Sequence, residues 1–247
     1  MEYQGRYKAF DASQIQTYPV ATRSNKVKLG NLVFPKDVAG LSLDVSQQAR
    51  RDVRAVAEAV VAARRAGKPV ILFTGAHLIK NGLGPLLLDL VERDCVTLVA
   101  GNGATTIHDF ELALIGETSE NVPAALDKGL FGMAYEFGYI NTALSVGNEQ
   151  KLGYGESLGR MICDEPFRRQ ALSRIAQADS PSNFLHPEVS VLAACYRRRV
   201  PFTVHVGIGT DVIDQHPSFD GQAKGGCSGR DFLLYTNEVT KLTEGGV

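Results

Sequence analysis

An apolar run that ends in two glycines constrains this chain more than any other feature. Val96-Thr-Leu-Val-Ala-Gly-Asn-Gly-Ala-Thr-Thr-Ile-His-Asp-Phe-Glu111 reads as a buried strand over Val96–Ala100, a turn at Gly101-Asn102-Gly103, and a helix opening at Thr105 or Thr106. Glycine lets a ligand approach bare backbone, and a helix N-terminus presents free N–H groups and a partial positive charge. A parallel α/β sheet holds a dinucleotide pyrophosphate at such a turn. The same spacing also serves a plain tight turn. Thr106 stands where the third glycine of a dinucleotide fingerprint would fall, and no acidic residue ends a following strand at the usual distance. Thr106 with Asp109 three residues later also reads as a capping box that needs no ligand.

The flanking sequence places this unit in an α/β sheet. Ser46–Ala66 carries Val53, Val56, Ala57, Val60 and Val61 at helical spacing, with Gly67 and Pro69 after it. Val70–Thr74 is an unbroken apolar run of strand length, as buried parallel strands are. Pro85 then suits the first turn of a helix through Leu86, Leu87, Leu90 and Val91. A third strand, Pro201–Val206, opens onto Gly207-Ile-Gly-Thr-Asp211. Alternation of helix and strand implies a parallel sheet covered on both faces. Residues 1–41 read as an N-terminal arm with extended pieces at Thr17–Thr22 and Lys28–Phe34, and 42–247 as one α/β domain. Its middle, 117–195, reads as helical, with helices expected at Val122–Lys128, Ala134–Val146, Ser157–Cys163, Arg168–Ala178 and Glu188–Arg199. Asp220–Gly229 reads as a glycine-rich loop before a last helix, Arg230–Leu242, whose Leu233, Leu234 and Val239 would face the core.

Three polar loops follow the three strands: Thr74–Asn81, Gly101–Glu111 and Gly207–His216. In a parallel sheet they share the carboxyl edge, where ligands bind. His77, Asn102, His108, Asp109, Glu111, Asp211, Asp214 and His216 are therefore candidates to converge there. The histidines and carboxylates match no zinc spacing, and neither a nucleophile elbow nor a Walker lysine motif is present. Gly153-Tyr-Gly-Glu-Ser-Leu-Gly159 follows no strand and reads as a helix start at Ser157. With 26 Lys and Arg against 27 Asp and Glu, the net charge of −1 gives no support for nucleic acid as a partner. Arg197-Arg198-Arg199 reads as a solvated helix end. Four cysteines far apart in sequence fit reduced thiols and a cytoplasmic setting. No apolar run is long enough to span a bilayer.

The same residues resemble the NAD-binding domain shared by deoxyhypusine synthase and by the carboxy-terminal part of NAD-dependent ornithine cyclodeaminase and bifunctional arginine dihydrolase. The cyclodeaminase pattern Ala-Gly-Asn-x-Ala-x-x-His-Asp-x-Glu is similar to Ala100 through Glu111, with one extra residue here. The synthase's Ser-Asn-Leu-Ile-Ser-Ser-Gly segment resembles Ala76–Gly82. Its Ile-Pro-Val strand leading to Thr-Asp-Gly resembles Val200-Pro201-Phe202 leading to Thr210-Asp211, with Val212 in place of the glycine. The likeness covers roughly 70–116 and 196–247; the helical middle matches neither family's motifs. It implies a Rossmann-like fold, bound NAD and a homo-oligomer.

The resulting expectation is an NAD-dependent enzyme acting on an amine or amino acid through an imine. Thr74, Gly75, Ala100, Gly101, Asn102, Gly103, Thr210 and Asp211 would hold the cofactor. His108 or Asp109 would act as base, and His77, Glu111, Asp214 and His216 would face the substrate. The alternatives are a nucleotide-binding or assembly domain without turnover, and a hydrolase or transferase using the same helix N-terminus to hold a phosphorylated small molecule. In the synthase the catalytic lysine lies beyond a segment resembling Gly245-Gly246-Val247. That lysine has no counterpart in this sequence. The expectation is that the natural chain continues past Val247 as a further strand, or that a partner subunit covers the open edge.

Overall fold

The computed structural model describes residues 3–42, 44–175, 183–243 and 245–247. Along the chain it forms β1 (Asn25–Lys28), α1 (Pro35–Val38), α2 (Gln47–Arg65), β2 (Ile71–Phe73), α3 (Ala76–Lys80), α4 (Gly84–Glu92), β3 (Leu98–Gly101) and α5 (Gly103–Ile115). There follow β4 (Glu117–Glu120), α6 (Val122–Leu126), α7 (Tyr135–Glu149), α8 (Tyr154–Cys163), α9 (Glu165–Leu172), α10 (Val191–Arg198), β5 (Phe202–Val204) and α11 (Gly221–Val239). The architecture is mixed α/β.

A three-stranded parallel sheet ordered β2-β3-β5 puts β3 at its centre. Leu98, Val99 and Ala100 are buried, which is why that strand reads as apolar without alternation. Val247 pairs with the far side of β2: its N–H reaches the Pro69 carbonyl at 3.1 Å, and its carbonyl takes the Ile71 N–H at 2.8 Å. One residue bonding the neighbours on either side of a single partner is parallel pairing. Val247 thus makes one parallel pairing on the edge of β2 opposite β3.

Several expectations shift. The expected loop Asp220–Gly229 is helical from Gly221, because Asp220 caps the start by accepting from the Gln222 and Ala223 amides. The face α11 buries is Ala223, Lys224, Cys227 and Asp231, spaced by about one turn each. Leu233 and Leu234 instead lie exposed. The α5 helix opens at Gly103, earlier than Thr105, because Asn102 caps it by accepting from the Thr105 amide. In α2 only Ala63 is buried; Val53, Val56 and Val61 face outward, so its apolar stripe covers no core among the described residues. The N-terminal arm contributes β1, which pairs antiparallel with β4, a strand that the helical reading of 117–195 did not anticipate. Expected helix 168–178 is α9, which begins at Glu165 under an Asp164 cap; its last expected residues lie outside the described ones.

Candidate functional site

The carboxyl edge of the sheet gathers the three loops read from sequence. Thr105 at the start of α5 donates from Oγ1 to the Thr74 carbonyl at 3.5 Å, joining the β2 loop to the β3 turn. On the other side, the His205 amide donates to the Gly101 carbonyl at 2.9 Å. Asp211 comes to lie against Gly103: a Cβ built on that glycine would stand 2.6 Å from Asp211 Oδ2. Thr74, Gly101, Asn102, Gly103 and Asp211 therefore form one cluster. Gly103 sits in the first turn of α5, where amides lack intrahelical acceptors. Gly101 has a different reason to be glycine, since a Cβ there would press on the Phe202 ring at 3.1 Å. Gly75 borders open space.

A lysine that sequence reasoning passed over organises this edge. Lys224 is 1% exposed, and its Nζ donates to Asp211 at 2.7 Å, to Asp214 at 2.5 Å and to the Gly207 carbonyl at 3.2 Å. All three of its donors are used. Asp214 in turn accepts from the amides of Gly209, Thr210 and Asp211. The loop after β5 is thereby folded around one buried ammonium. A cleft of 450 Å³ opens beside it, lined by Phe131 and the Gly209–Gln215 segment. Beneath lies Tyr154, fully buried, its hydroxyl driven well above the ordinary phenol range by burial. The signal for Lys224 was present: an Asp before a small-residue stretch marks a helix N-cap, and Lys224 falls one turn into that helix.

Other predicted residues sit elsewhere. Asp109 is buried and faces α10, where it accepts from Ser190 Oγ at 2.6 Å and from the Val191 and Leu192 amides at 2.8 and 3.1 Å. Burial pushes its carboxyl up to about 6 against those hydrogen bonds. It works as a cap for α10. His108 points toward β4, its Nδ1 lying 2.7 Å from Thr118 Oγ1. Thr118 donates its single proton to Glu111, so His108 Nδ1 must donate to Thr118. Glu111 also pairs with Arg23 from the N-terminal arm at 2.8 Å, and Arg23 pairs with Glu136 on α7. Two buried carboxylates thus share one buried guanidinium. Burial pushes Glu111 up, but the Arg23 charge with His108 and Thr118 together outweigh it and lower its carboxyl to about 2, while burial pushes Glu136 up to about 8. His108, Glu111, Arg23 and Glu136 form a second polar cluster, distinct from the carboxyl edge. His216 is buried with its ring nitrogen 2.7 Å from Ser218 Oγ, and burial lowers it to about 4. His77 is exposed on α3, one residue past Ala76 at its start.

The Gly153–Gly159 segment is a helix start, but at Tyr154, earlier than the expected Ser157, and its glycines answer to packing. A Cβ on Gly153 would strike Asp231, and one on Gly155 would strike the Phe202 carbonyl. Asp231, fully buried on α11, accepts from the amides of Gly155 and Val204 at 3.1 and 2.8 Å.

No protein-family model matches the chain, and no curated protein matches it. Among solved structures, apo ArgZ, an arginine dihydrolase from the ornithine–ammonia cycle in cyanobacteria, is similar at 17% identity and a TM-score of 0.45, over 81% of this chain and 23% of that one. An AgrE mutant in binary complex with L-arginine shows 19% identity and a TM-score of 0.44, over 83% and 25%. Unliganded AgrE shows 17% and 0.41, over 83% and 24%. The chain spans about a quarter of the length of these structures. No helix among the described residues is long and apolar enough to cross a membrane.

Proposed function

We propose that the carboxyl edge of the β2-β3-β5 sheet binds NAD, in a Rossmann-like manner, and serves hydride chemistry on an amine or amino acid. The observation that carries this reading is the position of Gly101-Asn102-Gly103: it ends the central strand, opens α5, and is flanked by the loops of both neighbouring strands. The first amides of α5 would face the pyrophosphate. Thr74, Gly75 and Thr210 border the rest of the cofactor. Asp211, with a side chain 20% exposed, is the carboxylate able to accept from a ribose hydroxyl or a substrate ammonium. Asp214 and Lys224 hold it in place. NAD, when bound, would take hydride from a carbon bearing nitrogen. Asp109 is not carried forward as a base, since its buried carboxylate accepts three hydrogen bonds from Ser190 and the first amides of α10.

Titration with NADH, followed by its fluorescence, tests the reading. NADH fluorescence should change on binding, and excess NAD should reverse the change. Displacement by inorganic pyrophosphate alone, with no effect of NAD, would favour the phosphorylated-ligand reading instead.

A further inference from the structure

Away from the carboxyl edge, against the amino half of β5, α8, α10 and α11 border a cavity of 590 Å³. Phe202 turns its carbonyl outward toward Gly155, so close that a Cβ there would stand 1.7 Å from it. The N–H and carbonyl of one residue in a parallel strand point the same way, so the Phe202 N–H faces this side too.

The walls carry opposite charges that are not spent on each other. Glu156 and Arg199 both line the cavity, and neither side chain has a hydrogen bond or ion pair among the described residues. Arg197 lines it as well, with its side chain also hydrogen-bonded to Cys163. Arg198, between the two, turns away to pair with Asp94 at 2.7 Å. The three arginines are therefore sorted: the middle one is a surface ion pair, and its neighbours border the cavity. Arg199 holds a left-handed φ of 56°, a conformation that costs a non-glycine residue energy and aims its side chain out of the helical path. On the α8 side, Glu156 lies near enough to Asp231 for their charges to repel. Leu192, Val200 and Leu234 add apolar surface.

We propose that this cavity is a second ligand site, for a free α-amino acid with an apolar side chain. Its carboxylate meets Arg199 and Arg197, its ammonium meets Glu156, and its side chain lies on Leu192 and Leu234. A guanidinium suits a carboxylate through paired N–H donors. A simple anion or a simple amine would satisfy only one wall and leave the other unpaired.

Calorimetric titration with L-leucine tests the proposal, beside N-acetyl-L-leucine and L-leucinamide, each of which lacks one charge. Leucine should bind, and each blocked analogue should bind at least about tenfold more weakly, the value of one charged hydrogen bond. Arg199→Gln and Glu156→Gln should each weaken leucine by a similar factor. Both side chains belong to exposed residues, so circular dichroism and melting of the free variants should be unchanged. NADH titration of the same variants should match wild type, which separates this site from the carboxyl edge. No leucine binding by wild type, equal binding of either blocked analogue, or wild-type affinity in both variants would overturn the proposal.

Discussion

Asp211 occupies the space a side chain at Gly103 would need: Oδ2 would stand 2.6 Å from that Cβ and Cγ 3.0 Å. Gly103 does not have a positive φ, so the clash alone makes substitution costly there. Gly103→Ala should destabilise the protein by about 1–3 kcal/mol through this overpacking. Asp211→Ala is itself destabilising, since it takes a partner from the buried Lys224, but the double variant with Gly103→Ala should lose less than the sum of the two single losses. Urea unfolding of the four proteins measures the coupling; strictly additive losses would show that the contact is not the cause.

Lys224→Met should be more damaging. It removes the ammonium that two carboxylates and a carbonyl share, and leaves Asp211 and Asp214 facing each other in a largely buried place. Breaking a buried pair by removing one partner costs about 3–5 kcal/mol. Denaturant unfolding should show a loss of that order, and a loss under about 1 kcal/mol would mean the loop does not depend on Lys224.

Asp109→Asn should act on stability and not on cofactor binding. The amide turns an N–H₂ toward donors from Ser190, Val191 and Leu192. An unsatisfied buried donor costs about 1–3 kcal/mol. Melting should fall while NADH titration stays at wild type. Unchanged melting with lost NADH binding would restore Asp109 to the site.

Glu136 makes stability depend on pH. Its carboxyl, ordinarily near 4.5, is raised to about 8 by burial, with Glu111 adding to the push and Arg23 opposing it. Between those values the folded protein keeps a proton that the unfolded chain releases. The contribution favouring the fold is therefore full below about 4.5 and is lost as pH rises toward 8. Glu136→Gln should melt higher than wild type at pH 8.5, with the difference shrinking toward pH 5. Parallel melting curves across this range would contradict the assignment.

What was legible in the sequence follows from range. Val70–Thr74 and Val96–Ala100 are short apolar runs that end at glycine, and they became β2 and β3; β3 is buried as that pattern suggests, whereas β2 is not, with Phe73 exposed. The glycine turn was legible from the same local pattern. For Lys224 only its place one turn into a helix capped by Asp220 was legible; its role was not, because that depends on Asp211 and Asp214, brought back against it by the loop after β5. Arg23 was not, because its carboxylates lie 88 and 113 positions along the chain (111 − 23 and 136 − 23). His108 and Glu111 have site-like residue types beside the turn, but helical geometry rotates them toward β4. Leu233 and Leu234 look like core and are exposed, since α11 packs through Ala223, Lys224, Cys227 and Asp231 instead.

NAD binding at the carboxyl edge is tested most directly by calorimetry on wild type and on Gly103→Ala, below the melting temperature of both. Wild type should show saturable binding, and the variant affinity at least about tenfold lower, since the added methyl group displaces Asp211 and crowds the first amides of α5. No binding by wild type, or equal binding by both proteins, would contradict it.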